Sequence, residues 1–253
     1  MTDLNNKTVL ITGASRGIGA AAAYEFASLG AKVVLAARSA DQIKSIADDI
    51  ASKGGTAIAI TCDVSNASDV ADMVTKTVET FGSLDVLVNN AGIIDPIGNM
   101  NGIDVEAWGN LIDINVKGVF YGIHAALPHM KNGGTIITIG SGAATYPLEG
   151  WAHYCSSKAA VHQLNACLDV EERANGIRAL VLSPGTVATD MQVAIKDSGV
   201  NSVSELDWSE HIPAEWPAKA MVWMCGADAD PWLGQVISLR DENIRRSIGL
   251  IDA

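Results

Sequence analysis

Val9-Leu10-Ile11-Thr12-Gly13-Ala14-Ser15-Arg16-Gly17-Ile18-Gly19 runs from a short apolar segment into a glycine-rich turn, and a helical pattern follows over 17–29. The apolar segment is too short for a helix. It also lacks the polar alternation of a strand with one wet face, so it reads as a strand covered on both sides. Glycines let a backbone turn tightly and lie against a pyrophosphate, and a helix N-terminus favours negative charge. The glycine spacing is Gly-x-x-x-Gly-x-Gly, not the more familiar Gly-x-Gly-x-x-Gly. Its place, after the first strand and at the start of the first helix, is what gives the turn weight.

The same alternation continues along the chain. Further apolar runs are Val33-Val34-Leu35-Ala36, Ala57-Ile58-Ala59-Ile60, Val86-Leu87-Val88, Ile136-Ile137-Thr138-Ile139, Ala179-Leu180-Val181-Leu182 and Val236-Ile237. Helical patterns fall between them at about 40–53, 67–81, 104–130, 152–174 and 214–226. Strands alternating with helices predict a parallel sheet with right-handed crossovers. The expected class is α/β, a Rossmann-type doubly wound sheet of about seven strands with helices on both faces, forming one domain over 1–253. Ligands bind such sheets beyond the carboxyl ends of the strands. The stretch 190–213 departs from the pattern, with Gly199, several serines, Trp208 and Pro213. It is expected to form a mobile substrate lid.

With 253 residues, 48% hydrophobic and only 18% charged, the chain is near the upper size of a single core. No apolar run is long enough to cross a membrane. The start, Met1-Thr2-Asp3-Leu4-Asn5-Asn6, lacks the basic and apolar regions of a signal peptide. A cytoplasmic protein is expected. Cys62, Cys155, Cys167 and Cys225 are scattered and form no ligand pair, so they read as reduced thiols. Cys155 adjoins Tyr154 but is not assigned a nucleophilic role. The five histidines show no metal-ligand spacing, and no metal is expected. The net charge of −12 argues against nucleic acid and against anionic membranes as partners.

Tyr154 and Lys158 stand four residues apart in a helical pattern, which puts them on one face, one turn apart. A free tyrosine ionises near 10, and bringing it to neutrality takes roughly 4 kcal/mol. An ammonium about 4 Å away supplies about that much at an effective dielectric near 20. Lys158 is thus expected to make Tyr154 a useful acid near neutral pH.

With the strand order and these motifs in hand, the sequence resembles the short-chain dehydrogenase/reductase family. Thr12 to Gly19 is similar to the family's Thr-Gly-x-x-x-Gly-Ile-Gly signature, and Asn89-Asn90-Ala91-Gly92 to its motif after the fourth strand. Asn115 resembles the family's catalytic asparagine, and Ser141, Tyr154 and Lys158 match its other active residues. Pro184-Gly185-Thr186-Val187-Ala188-Thr189 resembles the segment that embraces the nicotinamide. The resemblance implies a dinucleotide held by Gly13, Ser15, Arg16, Gly17, Ile18, Gly19, Arg38, Asp63, Val64, Asn89, Ala91, Gly92, Tyr154, Lys158, Pro184, Gly185, Val187 and Thr189. In that assignment Asp63 touches the adenine and Val64 packs against it. The nicotinamide passes hydride to a carbonyl carbon, Tyr154 gives the oxygen a proton, and Ser141 polarises that oxygen. Lys158 lowers the tyrosine pKa and reaches the nicotinamide ribose. Asn115 holds a water that relays protons. Run backwards, Tyr154 is the base and an alcohol is the substrate.

Cofactor choice follows from charge. A sheet that prefers NAD places an acid at the end of its second strand to accept the ribose hydroxyls. Here that position is Ala37, followed by Arg38, with Arg16 in the glycine turn. Two guanidiniums suit a 2′-phosphate, so NADP(H) is expected over NAD(H). The expected substrate wall is Ser141, Ala143, Leu148, Trp151, His153, Tyr154, Gly185 and Met191, with Ile195 and Trp208 on the lid. This largely apolar wall suits a small ketone, aldehyde or dicarbonyl. An acyl-carrier protein is acidic and needs a basic rim, but 95–110 holds no Lys or Arg and 190–215 only Lys196.

After the last strand the chain reads Gly234-Gln235-Val236-Ile237-Ser238-Leu239-Arg240-Asp241, without the glycine pair of many family members. In this it is more similar to the sepiapterin and benzil reductase branch. A homodimer or homotetramer is expected, paired through the helices at 104–130 and 152–174. An alcohol dehydrogenase working oxidatively and a non-catalytic NADP(H)-binding sensor are the alternatives to a carbonyl reductase.

Overall fold

The structure, a computed structural model, describes residues 3–252; Met1 and Thr2 of the N-terminal stretch read above, and Ala253, lie outside them. The strands are β1 Thr8–Thr12, β2 Lys32–Ala37, β3 Thr56–Thr61, β4 Val86–Asn89, β5 Gly134–Ile139, β6 Ile177–Ser183 and β7 Val236–Ser238. They form a parallel sheet in the order β3-β2-β1-β4-β5-β6-β7. The order reverses between β1 and β4, which is where ligands bind in sheets of this kind. The helices are α1 Gly17–Ser28, α2 Ala40–Ser52, α3 Ala67–Phe81, α4 Val105–Ile112, α5 Gly118–Ala126, α6 Ala152–Glu172, α7 Asp190–Ser198, α8 Glu215–Met224 and α9 Glu242–Ile248.

In the five inner strands the apolar runs bury both faces of the sheet, whereas the edge strands β3 and β7 are partly exposed, with Ala59 and Val236 at the surface. Ile11, Val33, Ile137 and Leu182 point into a core with Phe26 of α1 and Met221 of α8. Their neighbours Leu10, Val34, Ile136 and Ala179 point the other way, into a core with Met73 of α3, Val119 of α5 and Val161 of α6. Each fully buried Leu or Ile contributes roughly 1.5–3 kcal/mol. The carboxyl edge of the sheet is therefore a rigid platform. Polar residues fix where the helices begin: Asn66 accepts the Ser68 N–H before α3, and Asp104 accepts the Ala107 N–H before α4.

Two local expectations need correction, and one helix lies where none was expected. The helix expected over 104–130 is interrupted by a π-helical turn, Asp113–Lys117, between α4 and α5, then ends in a short 3-10 turn. The stretch 190–213 is not irregular, because it holds α7 and two 3-10 turns, Ser202–Glu205 and Trp208–Glu210. A further helix, α9, follows β7, started by Asp241 accepting the Asn243 N–H. With only seven residues, α9 is too short to carry a clear apolar stripe.

Candidate active site

A cavity of about 1090 Å³ runs along the carboxyl edge of the sheet. That exceeds the roughly 300–1,000 Å³ of common small-ligand pockets. Its floor at the switch point is the turn between β1 and α1, with Gly13, Ser15, Arg16, Gly17 and Ile18. The ends of β2 and β3 contribute Ala37, Arg38, Asp63 and Val64 at one end. Ala91 and Gly92 follow β4, and Pro184, Gly185, Val187 and Thr189 follow β6.

The glycines make a cradle. Gly13 has φ +64, and a Cβ there would stand 2.7 Å from the Ala91 backbone. Gly17 has φ +54, and its Cβ would stand 3.1 Å from Thr189 Cγ2. Both turns are open only to glycine. Gly19 corrects the sequence reading: it is buried and does not line the cavity. A Cβ on it would lie 2.5 Å from the Gly13 carbonyl oxygen, so it lets α1 approach the turn. Asn89 is a second correction. Strand alternation puts it on the side of Leu87, facing Gly122 of α5, and only 3% exposed. The neighbouring Asn90 lines the cavity instead, its Nδ2 donating to the Thr12 and Gly13 carbonyls at 2.9 and 3.0 Å.

Tyr154 and Lys158 share one face of α6, with Lys158 Nζ 5.6 Å from the centre of the phenol ring. They are 8% and 6% exposed, and both line the cavity. Lys158 Nζ donates to the Ile139 carbonyl at 2.8 Å, which ties it to the end of β5. Burial pushes the Tyr154 phenol up to about 12, against the lowering effect of a hydrogen bond from Ser141. Burial also brings Lys158 down to about 8. The expectation that Lys158 alone holds the phenol near neutrality is therefore not met here. Removal from water is the largest influence on both groups.

Ser141 is held on two sides. Its Oγ accepts the Ala143 N–H at 3.1 Å, and its own N–H donates to His162 Nε2 at 3.3 Å. Burial, with the charge of Lys158, lowers His162 to about 4, so Nε2 stays an acceptor. The ring presses on the strand end, where a Cβ on Gly140 would stand 2.2 Å from His162 Nε2. Asn115 lies in the π turn, 1% exposed. Its Oδ1 accepts the Ile93 N–H at 2.9 Å, and its Nδ2 donates to the Ile93 carbonyl at 2.8 Å and to Ser157 Oγ at 3.2 Å. The Ser157 hydroxyl donates in turn to the Tyr154 carbonyl. Asn115 thus braces the chain after β4 against α6.

The expected substrate wall is brought together except for one residue. Ala143, Leu148, Trp151, Gly185 and Met191 line the cavity, and Trp151 meets Tyr154 edge-on with ring centres 5.7 Å apart. His153 does not, because the helix turns it onto another face. It is fully buried, with Nε2 3.0 Å from the Ile94 carbonyl. Of the lid positions, Ile195 lines the cavity, whereas Trp208 stacks on His211 outside it. The sequence reading passed over Ile94, Tyr146, Val203, Leu206 and Arg240, which also line the cavity. Their signal was position alone, since each sits in a loop or turn that no motif covers.

Arg16 is not free as the charge argument supposed. Its Nη1 meets Asp190 Oδ2 at 2.8 Å, with both side chains about 70% exposed. Arg38 has no such partner among the described residues. Burial acts to raise the Asp63 carboxyl, but hydrogen bonds from Ser65 and the charge of Arg38 leave it below the usual range. A glycine cradle, a free cation beyond Ala37 and a long cavity fit a nicotinamide dinucleotide. Among the described residues no group of three His, Cys, Asp or Glu side chains is placed to hold a metal, and no helix is long and apolar enough to cross a membrane.

This fold and cleft are those of a dinucleotide-binding oxidoreductase. A model of the family described as short chain dehydrogenase matches residues 7–199. A curated relative, L-rhamnose 1-dehydrogenase (NAD(P)(+)) of Azotobacter vinelandii, is 34% identical over 253 residues, covering 97% of this chain and 94% of that one. A short-chain type dehydrogenase/reductase of Mycobacterium marinum has a crystal structure that superposes with a TM-score of 0.85 at 33% identity, over 93% of this chain and 94% of that one. A short chain dehydrogenase of Burkholderia cenocepacia, crystallised in complex with NADP, gives 0.82 at 30% identity, over 94% and 97%. The chain belongs to the short-chain dehydrogenase/reductase family, whose members are oxidoreductases that use a nicotinamide cofactor.

Proposed function

We propose that this enzyme reduces a small ketone, aldehyde or dicarbonyl with NADPH. The observation that carries the proposal is the buried Tyr154–Lys158 pair, on one helix face and against Ser141, inside the cavity that holds the glycine cradle. When bound, the nicotinamide supplies hydride. The protein supplies position and a proton. Ser141 holds and polarises the carbonyl oxygen. Tyr154 Oη gives that oxygen its proton, and a phenol held at about 12 is fully protonated and ready to do so. Lys158, at about 8, carries a proton at neutral pH and can restore that of the tyrosine. Asn115 keeps the strand end and α6 in register, as its hydrogen bonds allow. The cofactor is NADP(H) over NAD(H), because Ala37 offers no carboxylate and Arg38 stands free at the end of β2.

The oxidative direction remains the second reading, favoured by a relative whose name is that of a sugar dehydrogenase. A panel of ketones, aldehydes and diketones followed by NADPH consumption, beside the corresponding alcohols with NADP+, separates the two. Consumption with some carbonyls supports the reductase. Turnover only of alcohols with NADP+ supports the dehydrogenase, and cofactor binding without any turnover would point to a sensor. The stretch from α7 to the second 3-10 turn is proposed to close over the substrate, with Met191, Ile195, Val203 and Leu206 facing the cleft. The proposed setting is the cytoplasm, and the proposed assembly a homodimer or homotetramer. Val105, Trp108, Phe120 and Val170 leave large apolar surface exposed on α4, α5 and α6. Light scattering is expected to give at least twice the monomer mass, and a monomer alone would contradict the assembly.

A further inference from the structure

Of the seven arginines in the chain, four are held by carboxylates: Arg16, Arg173, Arg178 and Arg246. Arg245 packs over Trp216 and donates to the Leu239 carbonyl. Arg38 and Arg240 have no ion pair or side-chain hydrogen bond among the described residues, and both line the cavity. They lie at opposite ends of the sheet edge. Arg38 follows β2 and belongs to the end assigned to the 2′-phosphate. Arg240 follows β7, in the stretch that replaces the glycine pair of many family members.

We infer that Arg240 anchors a carboxylate on the substrate, so that the carbonyl compound is an amphipathic acid with its carboxylate several bonds from the reacting carbon. The inference rests on the carbonyl-reductase reading of the cleft. Leu239 N–H donates to the Ser183 carbonyl at 3.0 Å, which sets Arg240 level with Pro184 and Gly185. Arg240 Cγ lies 3.7 Å from where a Gly185 Cβ would stand, and Gly185 has φ +79. Strands in a sheet lie about 4.8 Å apart. The glycine cradle after β1 is four strands away in the sheet order, about 19 Å, beyond the reach of an arginine toward a pyrophosphate. Ser141 and the Lys158 contact, at the end of β5, are two strands away, about 10 Å. Ala143, Leu148, Trp151 and Met191 line the same cavity with apolar surface. A carbonyl at Tyr154, an apolar spacer and an anion at Arg240 match that order. In a chain of net charge −12, an exposed guanidinium without a counterion at the rim of a cleft is also where an anion is drawn. A planar guanidinium grips a carboxylate with two parallel hydrogen bonds.

The test compares 4-carboxybenzaldehyde with its neutral methyl ester, methyl 4-formylbenzoate. Calorimetry measures the binding of each to the NADP+-loaded enzyme, as wild type, Arg240→Gln and Arg240→Lys. The wild type is expected to bind the acid at least about tenfold more tightly than the ester, the factor that ~1.4 kcal/mol gives. Arg240→Gln is expected to erase that preference, and Arg240→Lys to keep part of it. A wild-type ratio near one, or a ratio that Arg240→Gln leaves unchanged, overturns the inference. NADPH consumption with both aldehydes is followed in parallel. The acid preference without reduction of either aldehyde would support the anchor and remove the reductase reading.

Discussion

Replacing Tyr154 with Phe is expected to lower kcat by roughly 10²–10⁴-fold, the range that a positioned proton donor contributes. The substitution removes one oxygen and leaves the ring, which is 8% exposed and packed edge-on against Trp151. Folding is expected to survive because the ring keeps its packing, and dinucleotide affinity is expected to fall far less than kcat, because the phenol is one of many groups assigned to the dinucleotide. Thermal unfolding and NADPH titration check both. Turnover within a few-fold of wild type, in a variant that folds and binds cofactor, would remove Tyr154 as the acid. The loss is expected in kcat more than in KM, since proton transfer belongs to the transition state.

The second large effect is on cofactor choice. Ala37→Asp with Arg38→Ile places an acid where the ribose hydroxyls would lie and deletes the free cation beside them. Each hydrogen bond to a charged group is worth about 1.5–3 kcal/mol. One such bond gained and one lost amount to roughly 3–6 kcal/mol, or at least about a hundredfold in the ratio of kcat/KM for NADPH over NADH. Rates with each cofactor at fixed substrate supply the ratio. A ratio unmoved by the double substitution would contradict the assignment of Arg38 to the 2′-phosphate.

Much of the fold was legible because its signals are local. Runs such as Val9-Leu10-Ile11 and Ala179-Leu180-Val181-Leu182 have no polar alternation, and the structure buries both of their faces. The positive φ of Gly13 and Gly17 follows from the same turn that the sequence shows. What failed depended on the third dimension. Asn89 and Asn90 are identical in type, and only strand alternation decides which one faces the cleft. His153 adjoins Tyr154 in sequence, but one helical step turns it into the core. The Arg16–Asp190 pair joins residues 174 positions apart, which no spacing rule reaches. The tyrosine pKa is hard to read from sequence for a related reason. Coulomb's law between two side chains can be written from the sequence, while desolvation, the largest influence on Tyr154, is a property of the assembled cleft.

In the proposed mechanism, that burial makes cofactor binding the decisive event for the proton chemistry. An oxidised nicotinamide bound there would bring positive charge into a site already holding Lys158, and positive charge favours the phenolate. Ultraviolet titration of tyrosinate, taken as wild type minus Tyr154→Phe, isolates this phenol from the other tyrosines. Without cofactor it is expected to titrate at about 12. With saturating NADP+ it is expected to titrate far below that, toward neutrality. A phenol that titrates at the same pH with and without NADP+ would contradict the proposal that Tyr154 exchanges a proton with the substrate.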